Sequence, residues 1–347
     1  MPVRFVIFSD LDATLLDHKT YSFKPAVPVL KKLQKMNLPV VLCTSKTRAE
    51  TEAIARDLGL NHPFIVENGG AIFIPEGYFA GHLFRKAGIS ALKKGKYRLI
   101  QLGTPYRRLR EIFKKIRETA GIRMLGFGDL KPEEIAAVTG LKKSEAERAA
   151  RREYDEPFVV EGSQEFELLE KKIKSRRTRI DKKGIFLPAA LKDSQTRASR
   201  SSDAAESRST GPSQNRILAR IKHMAGRYRL RVTAGGRFYH LTGNNDKGKA
   251  VCLLKKLYRL ESGKIITIGL GDSINDLPML RAVDLPVLVA RPEGQSSGIP
   301  RGTKNLLRTT RPGPEGWAQA VSFLLGLLNS GPGKRKKPCP EKGGYHG

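Results

Sequence analysis

Two pairs of aspartates in this sequence lie where apolar runs end. Asp10 and Asp12 follow the run FVIF, and Asp272 and Asp276 follow the run KIITI. Each run is typical of a strand buried on both faces, so the acids are expected at the carboxyl ends of strands. Carboxylates gathered at one place repel one another unless a cation lies among them, and hard oxygen ligands suit Mg²⁺. The pattern therefore predicts a magnesium site.

Hydroxyl and lysine side chains could complete such a site. Thr44 and Ser45 follow the apolar run VVLC, and Lys247 opens the helical pattern GKAVCLL. Acids, a cation, hydroxyls and a lysine suit phosphoryl transfer, in which a carboxylate attacks phosphorus while the cation and the lysine neutralise the oxygens. Taken singly, each feature has a plainer interpretation. An aspartate pair can form a turn or a helix cap, and Thr44 or Ser45 can cap the helix TRAETEAIARDLG.

The elements that must position these side chains alternate between strand and helix. The alternation covers residues 3–75 and returns from Lys247 through LPVLVARP. Such alternation indicates an α/β fold with a doubly wound parallel sheet, in which ligands bind beyond the carboxyl ends of the strands. Between the two halves, strand and helix patterns without this order predict an inserted α+β cap.

These patterns predict the following domain organisation. The core domain is expected over residues 1–82 and 244–329, and the cap over 83–243. Residues 175–216 are polar, basic and Ser-rich, which predicts a disordered insert within the cap. The tail 330–347 has a similar composition and the same prediction.

Charge and cysteine content restrict the class of protein. The 347 residues carry a formal net charge of +30, and the three cysteines, Cys43, Cys252 and Cys339, have no CxxC spacing. This content argues against a disulfide framework or a zinc site and favours a reducing, cytoplasmic location. No apolar run reaches the roughly 20 residues that span a bilayer, so no membrane is expected as a partner.

The basic surplus has two interpretations. One is nucleic-acid binding through the Arg-rich insert and the KRKK tail. The other is a general attraction of anionic substrates. The second is favoured because no RNA-reading motif and no interleaved aromatic residues accompany the insert.

The four motifs also resemble those of a known superfamily. DLDAT, the strand end at Thr44, Lys247 and GDSIND occur in the order found in phosphatases of the haloacid dehalogenase type. The insertion resembles the large α/β cap of the sugar-phosphatase branch. The segments TSKTRAE, PFIVENGGAIFIPEGY, REYDEPF and GGRFYHLTGNNDKGKA resemble the mannosyl-3-phosphoglycerate phosphatase family. Ala13 departs from the glycine usual in the first motif, with modest backbone strain expected if its φ is positive.

The resemblance implies roles for these residues. Asp10 is expected to be the nucleophile, forming an aspartyl-phosphate, and a Mg²⁺ ligand. Asp12 is expected to be the general acid and base and to face the metal with its backbone carbonyl. Thr44 would bind a phosphate oxygen, and Lys247 would pair with Asp10 and the phosphate. The remaining implied ligands lie in the last motif: Asp272 and Asp276 for the metal, and Asn275 for metal-bound water or phosphate.

Further candidates for substrate binding lie beside these motifs. Ser45 and Lys46, both in the segment TSKT, are candidates for contacts with the substrate. Glu67 and Asn68 could hold sugar hydroxyls, although ENGG could also be only a tight turn. Arg237 could bind a carboxylate through two parallel hydrogen bonds. His240 could contact substrate, although a structural hydrogen-bonding role is the more common one for such a histidine.

The resemblance implies a Mg²⁺-dependent phosphatase that releases phosphate from mannosyl-3-phosphoglycerate, a small anionic sugar phosphate, to give the compatible solute mannosylglycerate. A phosphatase of glucosyl-3-phosphoglycerate or of another sugar phosphate is an alternative within the same class. An alternative of another class is a nucleic-acid-binding protein built on a catalytically idle phosphatase fold, against which the intact acids argue. The sequence does not determine the oligomeric state.

Overall fold

A computed structural model describes residues 4–181, 212–235, 237–292, 298–299 and 305–329 of the chain. The strands, numbered along the chain, are β1 (Arg4–Ser9), β2 (Val40–Cys43), β3 (Phe64–Val66), β4 (Ala71–Pro75), β5 (Leu92–Lys94), β6 (Tyr97–Gln101), β7 (Met124–Gly126), β8 (Asp155–Val160), β9 (Arg231–Gly235), β10 (Phe238–Thr242), β11 (Ile265–Gly271), β12 (Leu285–Ala290) and β13 (Leu307–Pro312).

The helices are likewise numbered along the chain. They are α1 (Val27–Lys35), α2 (Arg48–Asp57), α3 (Gly81–Ala87), α4 (Tyr106–Ala120), α5 (Pro132–Thr139), α6 (Lys143–Ala149), α7 (Gln164–Asp181), α8 (Pro212–Arg227), α9 (Lys247–Ser262), α10 (Leu277–Ala282) and α11 (Gly313–Asn329). None of the helices in the described ranges is long and apolar enough to cross a membrane.

The chain divides into two compact units. The first unit comprises Met1–Cys43 and Leu254–Gly347, and the second comprises Thr44–Leu253. This division assigns residues 44–82 and 244–253, which were predicted to belong to the core, to the second unit. The predicted boundaries between core and cap therefore differ from the boundaries of these two units. The assignment of residues to a core and a cap stays a prediction.

The first unit contains the predicted parallel sheet. Its strands run in the order β13-β12-β11-β1-β2, and all four neighbouring pairs are parallel. The core residues of β1, from Val6 to Phe8, are fully buried, as a strand covered on both faces requires. The chain leaves β1 towards β2 and later returns to β11 on the other side of β1. In open α/β sheets with this change of direction, ligands bind in the crevice beyond the carboxyl ends of the strands.

The second unit contains antiparallel strands. One ladder joins β3, β4, β6 and β5, and a separate sheet has the order β7-β8-β10-β9. Helices α4 and α8 pack on the second sheet through a cluster that includes Leu109, Phe113, Phe158 and Ile221. Mixed helices and antiparallel strands of this kind confirm the predicted α+β character of the cap.

The predicted disordered insert is too long at both ends. Helix α7 continues to Asp181 and α8 begins at Pro212, so the ends of the 175–216 segment are helical. Arginine and lysine have good helix propensity, which a count of apolar residues does not detect. Residues 182–211 and the tail 330–347 lie outside the described residues.

Candidate active site

Three buried carboxylates come together in the first unit. Oxygen atoms of Asp10, Asp272 and Asp276 lie within 4.8 Å of one another. Asp10 follows β1 and Asp272 follows β11, so the parallel pairing of these two strands brings the aspartates to one edge. The residues are 7%, 2% and 0% exposed, respectively. Buried carboxylates this close are unfavourable in the charged form without a cation, so this set of donors fits a hard divalent ion such as Mg²⁺.

Local hydrogen bonds fix the orientation of these carboxylates. The Thr14 hydroxyl donates to Asp272 Oδ1 at 3.2 Å. The backbone amides of Asp272 and Ser273 both donate to Asp276 Oδ2 at 3.1 Å. A Cβ at Gly271 would lie 2.4 Å from the Cβ of Asp276, so only glycine fits behind that side chain. The GDSIND loop is therefore built around Asp276.

The other predicted residues of the first unit lie in the same motifs. Asp12 is half-buried, and its backbone forms a bridge with Leu16. The Asp12 carboxylate does not belong to the cluster of Asp10, Asp272 and Asp276. Ala13 has a φ of 56°, so the conditional prediction of a strained backbone at this position applies. Asn275 is half-buried in the turn before α10.

Two residues of the first unit were missed at the sequence level. The guanidinium of Arg291 lies 2.8 Å from Asp272 Oδ2, and Thr14 donates to the same carboxylate. Thr14 is the last residue of DLDAT, and Arg291 is the first charged residue after the buried strand β12. Their positions in a motif and at a strand end were therefore signals that could have identified them.

A second set of predicted residues surrounds a tight turn in the second unit. This turn, Thr44–Lys46, begins with a fully buried threonine whose hydroxyl accepts a hydrogen bond from the Lys46 amide at 3.1 Å. The helix that follows is capped by Thr47, which forms a capping box with Glu50. The alternative in which Thr44 or Ser45 caps α2 is therefore wrong, and the Thr44 hydroxyl has no capping role.

The loop Glu67–Gly69 packs against this turn. Glu67, Asn68 and Gly69 all have positive φ, at 47°, 56° and 83°. The Asn68 amide donates to the Thr44 carbonyl and the Glu67 amide to the Lys46 carbonyl, both at 3.0 Å. Two non-glycine residues in this conformation are strained, which is typical of loops held in place for function.

Glu67 does not have the environment of a sugar-binding residue. Its carboxylate is fully buried and accepts the backbone amides of Glu153 and Tyr154, the latter at 2.7 Å. Burial raises the pKa of Glu67 to about 8, whereas the nearby Arg152 opposes that rise. The predicted contact of Glu67 with substrate finds no support in this geometry, because its oxygens already accept hydrogen bonds from the chain. Asn68 is 8% exposed beside it.

Lys247 is the first residue of α9 and is 3% exposed. The preceding Asp246 accepts the amide of Lys249 at 2.8 Å and so caps the helix. A Cβ at Gly69 would lie 2.2 Å from the Asp246 carbonyl oxygen. The strained loop and the start of α9 are thus in direct contact, and a side chain at position 69 would displace one of them.

Arg237 and His240 both have structural partners. The guanidinium of Arg237 donates to the carbonyls of Val138 and Thr139, at the last turn of α5. His240 is buried, and its Nδ1 lies 2.7 Å from Asp155 Oδ2. The geometry gives no support to the prediction that Arg237 binds a substrate carboxylate, because the guanidinium donates to the end of a helix. For His240 the structural alternative fits.

Comparison with known proteins agrees with these motifs. The family of haloacid dehalogenase-like hydrolases matches residues 7–101 and 136–293. A glucosyl-3-phosphoglycerate/mannosyl-3-phosphoglycerate phosphatase from Methanococcoides burtonii is 38% identical over 94% of this chain and 100% of its own length. A mannosyl-3-phosphoglycerate phosphatase from Pyrococcus furiosus is 31% identical over 82% of this chain and 90% of its own.

Solved structures share the fold at low sequence identity. A Thermoplasma acidophilum protein matches with a TM-score of 0.55 and 16% identity, over 94% of this chain and 99% of its own. A haloacid dehalogenase-superfamily phosphatase from Bacteroides thetaiotaomicron matches with a TM-score of 0.50 and 14% identity, over 95% and 97%. The resemblance seen in the four motifs is confirmed, and the chain belongs to the haloacid dehalogenase-like hydrolases.

Proposed function

We propose that this enzyme is a Mg²⁺-dependent phosphatase that hydrolyses mannosyl-3-phosphoglycerate, and glucosyl-3-phosphoglycerate as well, to the glycosylglycerate and phosphate. The observation that carries the proposal is the gathering of Asp10, Asp272 and Asp276 at the carboxyl ends of β1 and β11. The names of the two relatives support the substrate, and one of them includes both sugars. The large positive net charge favours an anionic substrate.

The proposed chemistry begins at Asp10. Its carboxylate oxygen attacks phosphorus, the bond from phosphorus to the glycerate oxygen breaks, and Asp12 gives that oxygen a proton. Water then attacks the aspartyl-phosphate while Asp12 takes up a proton, which releases phosphate and restores Asp10. Mg²⁺, when bound, neutralises charge on the phosphate oxygens.

Other residues have supporting roles in this proposal. Thr44 donates its hydroxyl to a phosphate oxygen, and Lys247 neutralises charge on Asp10 and the phosphate. Asp272 and Asp276 would hold the metal together with Asp10, and Asn275 would bind a water at the metal or the phosphate. Arg291 and Thr14 orient Asp272. Ser45, Lys46 and Asn68 remain candidates for contacts with the rest of the substrate.

A comparison of substrates tests the proposal. The kcat/KM for phosphate release should be measured with mannosyl-3-phosphoglycerate, glucosyl-3-phosphoglycerate and plain 3-phosphoglycerate. The two glycosyl compounds should exceed plain 3-phosphoglycerate by about 100-fold or more, because contacts to the sugar contribute to transition-state binding. Equal values for all three would limit recognition to the phosphoglycerate part and would contradict the substrate assignment.

A further inference from the structure

We propose that Arg152 is a positioning residue, through which the cap segment between α6 and β8 holds the phosphate-binding turn Thr44–Lys46 in its active conformation. The inference rests on the proposed function, because the turn is assigned there to phosphate binding. It gives a role to a buried charge that the mechanism does not otherwise use.

The turn Thr44–Lys46 is held through its backbone carbonyls. Its three successive carbonyl oxygens each accept a hydrogen bond, and each bond comes from a different donor. The Asn68 amide donates to Thr44 and the Glu67 amide to Lys46. The central carbonyl, that of Ser45, accepts from Arg152 Nη1 at 2.9 Å. Arg152 is therefore the only side-chain donor among these three contacts.

Arg152 is itself fixed by contacts within the cap. Its side chain is 8% exposed, and its Nε donates to the carbonyl of Ala149, the last residue of α6, at 3.0 Å. Its guanidinium lies 5.5 Å from the centre of the Phe127 ring. The planar guanidinium therefore donates from Nε to Ala149 and from Nη1 to Ser45 at the same time. An ammonium group cannot reproduce this geometry.

The carboxylate of Asp155 compensates the positive charge of Arg152. Arg152 Nη1 lies 3.7 Å from Asp155 Oδ2, and the same oxygen lies 2.7 Å from His240 Nδ1. A chain of polar contacts thus runs from His240 in β10 through Asp155 and Arg152 to the Ser45 carbonyl. The neighbouring Glu153 and Tyr154 amides bind Glu67, so this one cap segment holds both the turn and the strained loop beside it.

The cap provides a matched control. Arg110 is likewise largely enclosed, with its side chain 13% exposed, and it forms ion pairs with Glu156 and Asp129. Its guanidinium lies 5.2 Å from the centre of the Phe113 ring. The Arg110 guanidinium thus pairs with cap carboxylates, whereas Arg152 donates to the Ser45 carbonyl. Replacing either arginine removes the same kind of enclosed group, and only one of the two replacements removes a contact to the turn.

The test compares Arg152→Met, Arg152→Lys and Arg110→Met with the wild type. Phosphate release should be measured with mannosyl-3-phosphoglycerate and with p-nitrophenyl phosphate, which has neither sugar nor glycerate. Both Arg152 variants should lose about 10- to 100-fold in kcat/KM, by the same factor for both substrates, because a misplaced turn affects the phosphate itself. Arg110→Met should keep kcat/KM near the wild-type value even if its Tm falls.

Two further readouts do not depend on turnover. Arg152→Met and Arg152→Lys should raise the Kd of inorganic phosphate, and they should speed amide hydrogen exchange in the peptide that contains residues 44–47. Arg110→Met should change neither. Arg152→Lys keeps the positive charge beside Asp155, so it also answers the possibility that Arg152→Met fails to fold.

The proposal is overturned if the Arg152 variants lose activity only on the sugar substrate, which would make Arg152 a substrate contact. It is also overturned if Arg110→Met matches them in kinetics and hydrogen exchange, which would show a general loss of structure. Failure of the proposed function has a different signature. In that case the wild type would release no phosphate from glycosyl substrates, while the exchange of residues 44–47 would still report on Arg152.

Discussion

Asp10, Asp272 and Asp276 place three carboxyl groups close enough to repel one another when they are charged. They are buried, and their oxygens lie within 4.8 Å of one another. Thr14 and Arg291 contact one of them, and the amides of Asp272 and Ser273 contact another. A bound divalent cation would relieve the repulsion and would stabilise the folded state by mass action.

Thermal unfolding with added Mg²⁺ measures this relief. At 100 times its Kd, the ion should stabilise the wild type by about 2.7 kcal/mol. This corresponds to a rise in Tm of roughly 4 °C for a chain of 347 residues. Asp272→Asn should lose most of the rise, whereas Asp57→Asn, an exposed aspartate at the end of α2, should keep it. A full rise in Asp272→Asn would mean that the ion binds elsewhere.

Among the elements, the loop Glu67–Gly69 shows how a backbone contact can matter for the site. Gly69→Ala would place a methyl group 2.2 Å from the Asp246 carbonyl, next to Lys247. Gly77 is the control, because its φ of +79° matches the +83° of Gly69 and nothing lies within 4 Å of its Cβ position. Both substitutions should cost about 1 kcal/mol in backbone strain. Only Gly69→Ala should also lower kcat, by about tenfold or more, and equal kcat values for the two variants would contradict this account.

Helix α11 contacts the residue that precedes the proposed nucleophile. Trp317 is fully buried, and its indole N–H donates to the Ser9 hydroxyl at 3.0 Å. That hydroxyl donates to the Asp10 carbonyl at 2.7 Å. Trp317→Phe should lower the free energy of unfolding by about 1–3 kcal/mol, through the lost hydrogen bond and the cavity. Phe323→Leu, on the exposed face of α11, should change it by less than about 0.5 kcal/mol. Denaturant unfolding measures the free energy of unfolding of both variants. Equal losses in Trp317→Phe and Phe323→Leu would contradict this expectation.

The elements also show what the sequence can predict. Apolar runs that end in Asp10 and Asp272 identified the strands and the edge at which these acids meet, because burial and period depend on local sequence. The ladder of β3, β4 and β6 is antiparallel, and strand patterns alone did not distinguish this. Arg152 and Glu67 could not be identified as partners of the turn, because their contacts join residues far apart in sequence. Arg237 was predicted to bind a substrate carboxylate for the same reason, because its partners Val138 and Thr139 lie far from it in sequence.

For the whole molecule, the buried carboxyl of Glu67 predicts how stability depends on pH. Burial raises its pKa from 4.5 to about 8, with a smaller rise from Asp155 and an opposing effect of Arg152. The folded state therefore favours the protonated carboxyl. Its contribution to stability is present below pH 4.5 and is lost as the pH rises through about 8.

Glu67→Gln removes this dependence. The Tm of Glu67→Gln minus that of the wild type should therefore increase as the pH rises from 4.5 to 8. Glu118→Gln, which changes an exposed residue of α4, is the control and should follow the wild type. Parallel curves for Glu67→Gln and the wild type would show that Glu67 remains ionised in the folded state.

The central claim is that Asp10 is the nucleophile of a Mg²⁺-dependent phosphatase. The most direct measurement is phosphate release from mannosyl-3-phosphoglycerate in the presence of Mg²⁺, by the wild type and by Asp10→Asn, with circular dichroism to show that both are folded. The account predicts turnover by the wild type and a loss on the order of a thousandfold or more in Asp10→Asn. Turnover by a folded Asp10→Asn at a rate near that of the wild type would contradict it.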